Sequence, residues 1–374
     1  MREERMTNKE TQAIRAVFDS LVEPTLKWSI NALNLLKKIE KKNDRIVINV
    51  NLISDDTDEK KKFIQQAEKA LEDVGFDKVT IQLGKVNVAT EGVSGVKHVI
   101  LVGSGKGGVG KSNTAVNLAA AISKLGFKTG LMDGDIYGPS FPTMLGITER
   151  PEVLTEEYLM PIDSHGIKTM SIGYLVEKGK ALTWRGNLTS GTVLQFIQKT
   201  FWGSLDYLVI DLPPGTGDIP LTLAHKIKCD GVVLVTTPQN LALDDMRRAV
   251  GMFQECEIPI LGIVENMSYA VCSCCGHQNH YFPKAKPGGE DDPLTNIEIL
   301  CSIPLSKEIC SAADSGLPLM FTEGDIVAKG IFESLAIKVT ASISRAEQND
   351  SPDKKSSMNF VPNLAKHNRP DLCC

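Results

Sequence analysis

The sequence predicts an α/β chain, a mostly parallel sheet flanked by helices and preceded by a small α+β domain. Three features carry that prediction. Short, unbroken apolar runs occur at residues 99–102, 207–210, 232–235 and 260–264, as in strands buried on both faces. Stretches with helical patterning separate them. Before residue 96 the texture differs, because the strand candidates there alternate apolar and polar residues.

In the first domain, residues 1–88, helical patterning at 8–21 and 26–38 precedes Arg45-Ile-Val-Ile-Asn-Val-Asn-Leu52, which alternates like a strand. An amphipathic helix is expected over 58–73, stopped by Gly75, and Lys78-Val-Thr-Ile-Gln-Leu83 alternates again. Residues 89–96 hold few large apolar groups and read as a linker. The second domain is expected over 97–345, with a further strand ending at Met132. Residues 346–374 are polar and read as a disordered tail.

The 374 residues carry 41 Lys plus Arg against 46 Asp plus Glu, a formal net charge of −5, and 6% are aromatic. A global basic field for nucleic acid is excluded, and base stacking is disfavoured. No apolar run nears the roughly 18 residues of a membrane span. Met1-Arg-Glu-Glu-Arg-Met6 lacks the apolar stretch of an export leader. The expected setting is cytoplasmic, with no nucleic acid and no membrane as partner. The nine cysteines then belong to a reducing compartment, where a close cluster suggests metal or redox chemistry.

Between the strand at 98–103 and an Ala-rich helix at 114–125 lies Gly105-Lys-Gly-Gly-Val-Gly-Lys111-Ser112. This is the G-x-x-x-x-G-K-[ST] phosphate loop, in the strand–loop–helix setting that gives the motif meaning. Gly107, Gly108 and Gly110 let backbone N–H groups turn inward around phosphate oxygens at a helix N-terminus. Lys111 would face the outer phosphates of ATP, and the Ser112 hydroxyl would hold Mg²⁺. The nucleotide-binding set is Gly105, Lys106, Gly107, Gly108, Val109, Gly110, Lys111, Ser112 and Asn113. Asp211, at the tip of an apolar strand, suits a role holding Mg²⁺ through water. Asp135 suits orienting the attacking water, and Gly215 and Gly217 leave the loop after Asp211 free to sense the γ-phosphate. Lys106 is an extra lysine. Alone it could be a solvated loop charge, but in this loop it marks the deviant phosphate-loop class of MinD/ParA and nitrogenase iron-protein relatives. Resemblance to that class implies that Lys106 reaches across a homodimer to the partner's nucleotide, so Lys106, Lys111, Asp135 and Asp211 form the expected catalytic set.

A cysteine cluster follows at 272–275. Cys272 and Cys275 have the C-x-x-C spacing that lets two thiolates converge on one centre, with Gly276 permitting the turn. A [4Fe–4S] cluster takes four thiolates, so a two-fold dimer would supply the second pair. Two other readings stay open at this point. Cys272, Cys275, His277 and His280 could form a zinc site in one chain, or the cysteine pair could be a catalytic disulfide. Cys274 reads as a bystander or a substitute ligand. Cys229, Cys256, Cys301 and Cys310 read as buried small hydrophobes.

These segments together resemble the Mrp/ApbC family of iron–sulfur carrier ATPases. The matching runs are 103–112, Asp133-Gly-Asp-Ile-Tyr-Gly-Pro-Ser140, Trp184-Arg-Gly186, Asp211-Leu-Pro-Pro-Gly-Thr-Gly-Asp218, Thr237-Pro-Gln239, Glu265-Asn-Met-Ser-Tyr269 and Cys272-x-x-Cys275, spread over about 96–340. The resemblance implies an ATPase in which Cys272 and Cys275 hold a labile bridging [4Fe–4S] cluster passed to apo recipient proteins. It also implies that Pro238 and Asn266 contact adenine and that residues 133–140 form the first switch. The sequence departs at Asn113, where many relatives have Thr, and at Asn187, where Pro usually follows Trp-Arg-Gly. The first domain resembles the small iron–sulfur assembly domain often fused ahead of this ATPase. Val22-Glu23-Pro24-Thr25 stands at its usual Asp-Pro-Glu, and residues 1–95 hold no cysteine, so a docking or dimer-supporting role is expected. The final Cys373-Cys374 reads as inert. The rival functions are a MinD/ParA-like positioning ATPase without a cluster, a zinc-bearing nucleotide switch and a nitrogenase-like electron donor.

Overall fold

The computed structural model describes residues 6–350 apart from 25–26, 28, 32, 34, 43–44, 55, 86–92, 154–157, 176–189 and 283–291. Trp184-Arg-Gly186, Asn187, residues 89–92 of the expected linker and Cys373-Cys374 therefore lie outside the described residues.

The first domain forms its own core. Helix α1 (Asn8–Ser20) starts at a capping box, in which Glu10 N donates to Thr7 Oγ1 and Thr7 N donates to the Glu10 carboxylate. Strands β1 (Leu36–Lys42) and β2 (Arg45–Leu52) pair antiparallel. Helix α2 (Thr57–Glu72) crosses over to β3 (Val79–Lys85), which lies parallel to β2. Asp56 caps α2 by accepting from Asp58 N and Glu59 N. Ile14, Phe18, Ile48, Phe63 and Leu71 are buried together.

Among the described residues of 26–38 the expected helix does not form. Lys27 takes a left-handed φ of 57°, Val22 and Ser29 form an isolated antiparallel bridge, and β1 begins at Leu36. Ile30, Leu33 and Leu35 are buried from successive turns instead. Long-range bonds such as Ile30 N to Leu21 O and Asn51 N to Leu35 O replace helical ones.

The second domain is built on a sheet of order β13-β10-β9-β4-β8-β5-β7-β6, parallel except for the β6–β7 edge. The apolar runs become β4 (Val96–Gly103), β8 (Leu205–Asp211), β9 (Gly231–Thr236) and β10 (Ile260–Glu265). The weaker candidate becomes β5 (Thr129–Asp133). Val96, counted with the linker, is the first residue of β4. Three strands of this sheet were not foreseen: β6 (Ile162–Ser164), β7 (Ile167–Ser171) and β13 (Ile299–Ser302). Each is short and edge-proximal, so its apolar pattern is brief.

Helices α3 (Lys111–Lys124), α4 (Phe141–Met144), α5 (Ser190–Gln198), α6 (Asp218–Lys226), α7 (Asn240–Glu255) and α8 (Lys307–Ser315) intervene. Helix α9 (Ile326–Asp350) closes the domain and runs five residues into the segment expected as tail. Its buried positions Phe332, Leu335, Ala336, Val339 and Ile343 follow helical spacing, and polar residues simply continue the same helix. Among the described residues no helix is long and apolar enough to cross a membrane.

Candidate functional site

The parallel strands end at one edge of the sheet, and the phosphate loop sits there between β4 and α3. Gly108 and Gly110 take left-handed φ values of 80° and 82°, as the inward turn of the loop requires. Gly105 is fixed by packing. A Cβ there would come within 2.4 Å of the Asp245 backbone oxygen on α7. A Cβ at Gly108 would meet nothing within 4 Å, so that side of the loop is open.

Lys111 opens α3 and is almost fully buried. Its Nζ lies 2.5 Å from Asp211 Oδ1 and 3.5 Å from Ser112 Oγ. Asp211 is fully buried; burial pushes its carboxyl up, against the opposing pull of Lys111. Its second oxygen, Oδ2, is buried without a hydrogen-bond partner among the described residues. An orphaned carboxylate oxygen beside the Ser112 hydroxyl is the donor chemistry that a hard cation such as Mg²⁺ takes up, so these residues fit the ion the loop motif implies.

Asp133 ends β5 directly beside Asp211 in the parallel register, with Ser171 of β7 on its other side. It is fully buried, and its carboxyl is pushed up to about 7, first by burial and then by the neighbouring charge of Asp211. Its oxygens accept from Ser171 Oγ at 2.9 Å, Asp135 N at 3.1 Å and Ser140 N at 3.2 Å. Asp135 itself is half-buried, and its carboxylate accepts from Tyr137 N and Gly138 N. Sequence reasoning gave the chemistry to Asp135 and left Asp133 without a separate role. Its place at the last position of an apolar strand was the available clue.

Lys106 is half-buried on the loop, and among the described residues its ammonium has no ion-pair partner. Asn113, where relatives often have Thr, accepts from Asn117 Nδ2 at 2.6 Å, and Asn117 in turn accepts from Met320 N. Asn113 thus holds Asn117, and it is Asn117 that ties α3 to the segment before α9. Asn266 follows β10, and its side-chain amide donates to Val109 O of the phosphate loop at 2.8 Å. Its backbone N donates to Thr236 O, next to the buried Pro238. Asn266 thus stands beside the loop, tied through Thr236 to the strand end two residues before Pro238.

Six residues beyond Asn266, Cys272 enters the turn of a hairpin formed by β11 (Ala270–Val271) and β12 (Gln278–Asn279). Cys272 N donates to His277 O at 2.9 Å, and Gly276 takes φ 73°. Cys274 and Cys275 are exposed. Backbone N–H groups of Cys274 and Cys275, with the Cys275 thiol, lower the Cys272 pKa and favour its thiolate. The zinc reading is not supported: His280 Nδ1 lies 3.2 Å from Ser268 O, and among the described residues no three His, Cys, Asp or Glu groups converge on a metal position. Both cysteines are free thiols.

Cys229, Cys256 and Cys301 are half-buried against the core, less than the full burial expected, and burial raises the Cys229 and Cys301 thiols to about 11 and about 12. Cys310 corrects the expectation, because it is exposed on α8. In the first domain Glu23 is fully buried and accepts from Ile53 N and Ser54 N, a structural use of the altered motif.

Residues 95–340 match the ParA family described as NUBPL iron-transfer P-loop NTPase. The chain belongs to this family. An iron-sulfur cluster carrier protein of Pseudomonas fragi is 44% identical over 282 residues, which is 73% of this chain and 97% of that one. The protein of that name from Haemophilus influenzae is 38% identical over 348 residues, covering 90% of this chain and 93% of its own, so the likeness extends into the first domain. Among solved structures, a nucleotide-binding protein of Archaeoglobus fulgidus in complex with ADP, with cobalt found, is 37% identical with a TM-score of 0.53. It covers 61% of this chain and 89% of its own. The family match spans β4 through most of α9, and therefore includes both the phosphate loop and the cysteine hairpin.

Proposed function

We propose that this P-loop NTPase hydrolyses ATP, and that two copies hold a [4Fe–4S] cluster between their Cys272–Cys275 pairs for delivery to apoproteins. The observation that carries the reading is the physical link between the two halves of the site. Asn266 bonds the phosphate loop through Val109 O and stands six residues before Cys272. A change in loop geometry on nucleotide binding would reach the hairpin through this residue.

The loop N–H groups and Lys111 would bind the phosphates, with Lys106 contributing from the partner copy. Ser112 Oγ and, through water, Asp211 Oδ2 would hold Mg²⁺. When bound, that ion neutralises phosphate charge. Asp135 would orient the water whose oxygen bonds to the γ-phosphorus as the bond to the bridging oxygen breaks, giving ADP and phosphate. Pro238 and Asn266 would line the base. The cluster is cargo, and its four thiolates come from two chains. The reading includes a cytoplasmic setting, where thiols stay reduced.

Anaerobic reconstitution tests this directly. Wild type should bind iron and sulfide in about equal amounts and sediment as a dimer. Cys272→Ala and Cys275→Ala should bind neither. Variants that keep wild-type iron and sulfide would sink the assignment.

A further inference from the structure

We propose that Asp133 is a positioning residue for phosphoryl transfer, a buried carboxylate latch that ties both ends of the loop 134–140 and so fixes the place of Asp135. The inference rests on the ATPase reading and adds a residue to it.

The loop leaves β5 at Asp133 and returns at Phe141, the first residue of α4. At the departing end, Asp135 N donates to Asp133 Oδ1 at 3.1 Å. At the returning end, Ser140 N and Phe141 N donate to Asp133 Oδ2 at 3.2 and 3.4 Å. One side chain therefore closes the loop, and Ser171 Oγ holds that side chain from the neighbouring strand at 2.9 Å. Gly134 N adds a bond to Asp211 O at 2.8 Å, which joins the latch to the strand carrying the proposed Mg²⁺ residue.

The simpler reading makes Asp133 a cap for α4. A cap needs only one short acceptor at a solvated helix end, and Ser or Asn serves as well. Asp133 is instead fully buried beside a second buried carboxylate, a placement that costs stability unless donors surround the charge. Its donors come from the strand's own loop and from a separate strand, which a cap does not require. Hydrolysis depends on placing the water-orienting group, and a shift of about 1 Å there reduces rate about 100-fold.

The test uses the full chain with Asp133→Asn and Ser171→Ala. An amide turns an N–H towards one set of donors, so one end of the loop loses its acceptor. Asp133→Asn should lower kcat at least about tenfold, with KM and ATP affinity within about threefold of wild type. Amide exchange at Asp135 and Ser140 should accelerate, while β4 and β8 keep wild-type rates. Ser171→Ala should move both readouts the same way by less. Wild-type kcat and wild-type exchange in Asp133→Asn would overturn the latch, and so would faster exchange spread evenly over the sheet. If the wild-type chain hydrolyses no ATP, the ATPase reading fails on its own. The exchange data then decide the latch: local acceleration upholds it and wild-type rates overturn it.

Discussion

Lys111 and Asp211 lie 2.5 Å apart with 7% and 0% of their side chains exposed, so neither can turn to water when the other is removed. Lys111→Met leaves the Asp211 carboxylate buried beside Asp133 with no cation. Breaking one side of such a pair costs roughly 3–5 kcal/mol. Asp211→Asn leaves the ammonium unpaired, while the double variant has no unpaired charge. The two single losses should therefore exceed the double loss by about 2 kcal/mol or more. Urea unfolding followed by tryptophan fluorescence, compared at constant m, measures all three variants. The Lys111→Met loss should also shrink from pH 8 to pH 5, because protonating a carboxyl removes the stranded charge. Single losses that sum to the double within about 0.5 kcal/mol would refute the coupled pair.

Asp133 predicts an unusual pH slope. Its pKa of about 7 in the fold, against an ordinary 3.8, means the folded chain binds the proton more tightly. Stability should fall as pH rises from about 4 to 7, by up to about 4 kcal/mol. Asp133→Asn should flatten that limb, and an unchanged slope would contradict the assignment. His98, at the far end of β4, gives a limb of the same sign, here because its charged form is the one the fold favours. Its pKa is raised first by the Asp230 hydrogen bond, with Glu347 of α9 assisting and Lys97 opposing. The contribution is full below pH 6.5 and is lost as pH climbs through the raised value. His98→Gln should remove that step from unfolding curves taken between pH 6 and 8, and persistence of the step would exclude His98 as its source. Gly105→Ala drives a methyl into the α7 backbone and should lower stability by about 1–3 kcal/mol. A wild-type unfolding midpoint would mean the loop and α7 are not in close approach.

Much of this molecule was legible in local pattern. Strands buried on both faces need unbroken apolar runs, so β4, β8, β9 and β10 were visible. The phosphate loop was visible because its glycines answer to backbone geometry that few other residues can adopt. The segment 26–38 misled, since Leu26, Ile30 and Leu33, four and three apart in sequence, suit a helix as well as a chain of turns. The zinc reading looked open because Cys272, Cys275, His277 and His280 are close in sequence. Only the tertiary structure shows His280 at Ser268 O and no three such groups gathered among the described residues.

The chain's own order of residues determined the loop that cradles phosphate, the two-thiol spacing and the buried character of the strands, because each is a property of a few consecutive residues. Tertiary structure alone decided which carboxylates face each other. Ser171, Asp133 and Asp211 end adjacent strands in a row, and Lys111 reaches Asp211 across 100 residues. Strand order arises from how crossover helices pack over the whole sheet, and no local periodicity encodes it. The same holds for Asn266, whose contact with Val109 joins positions 157 residues apart.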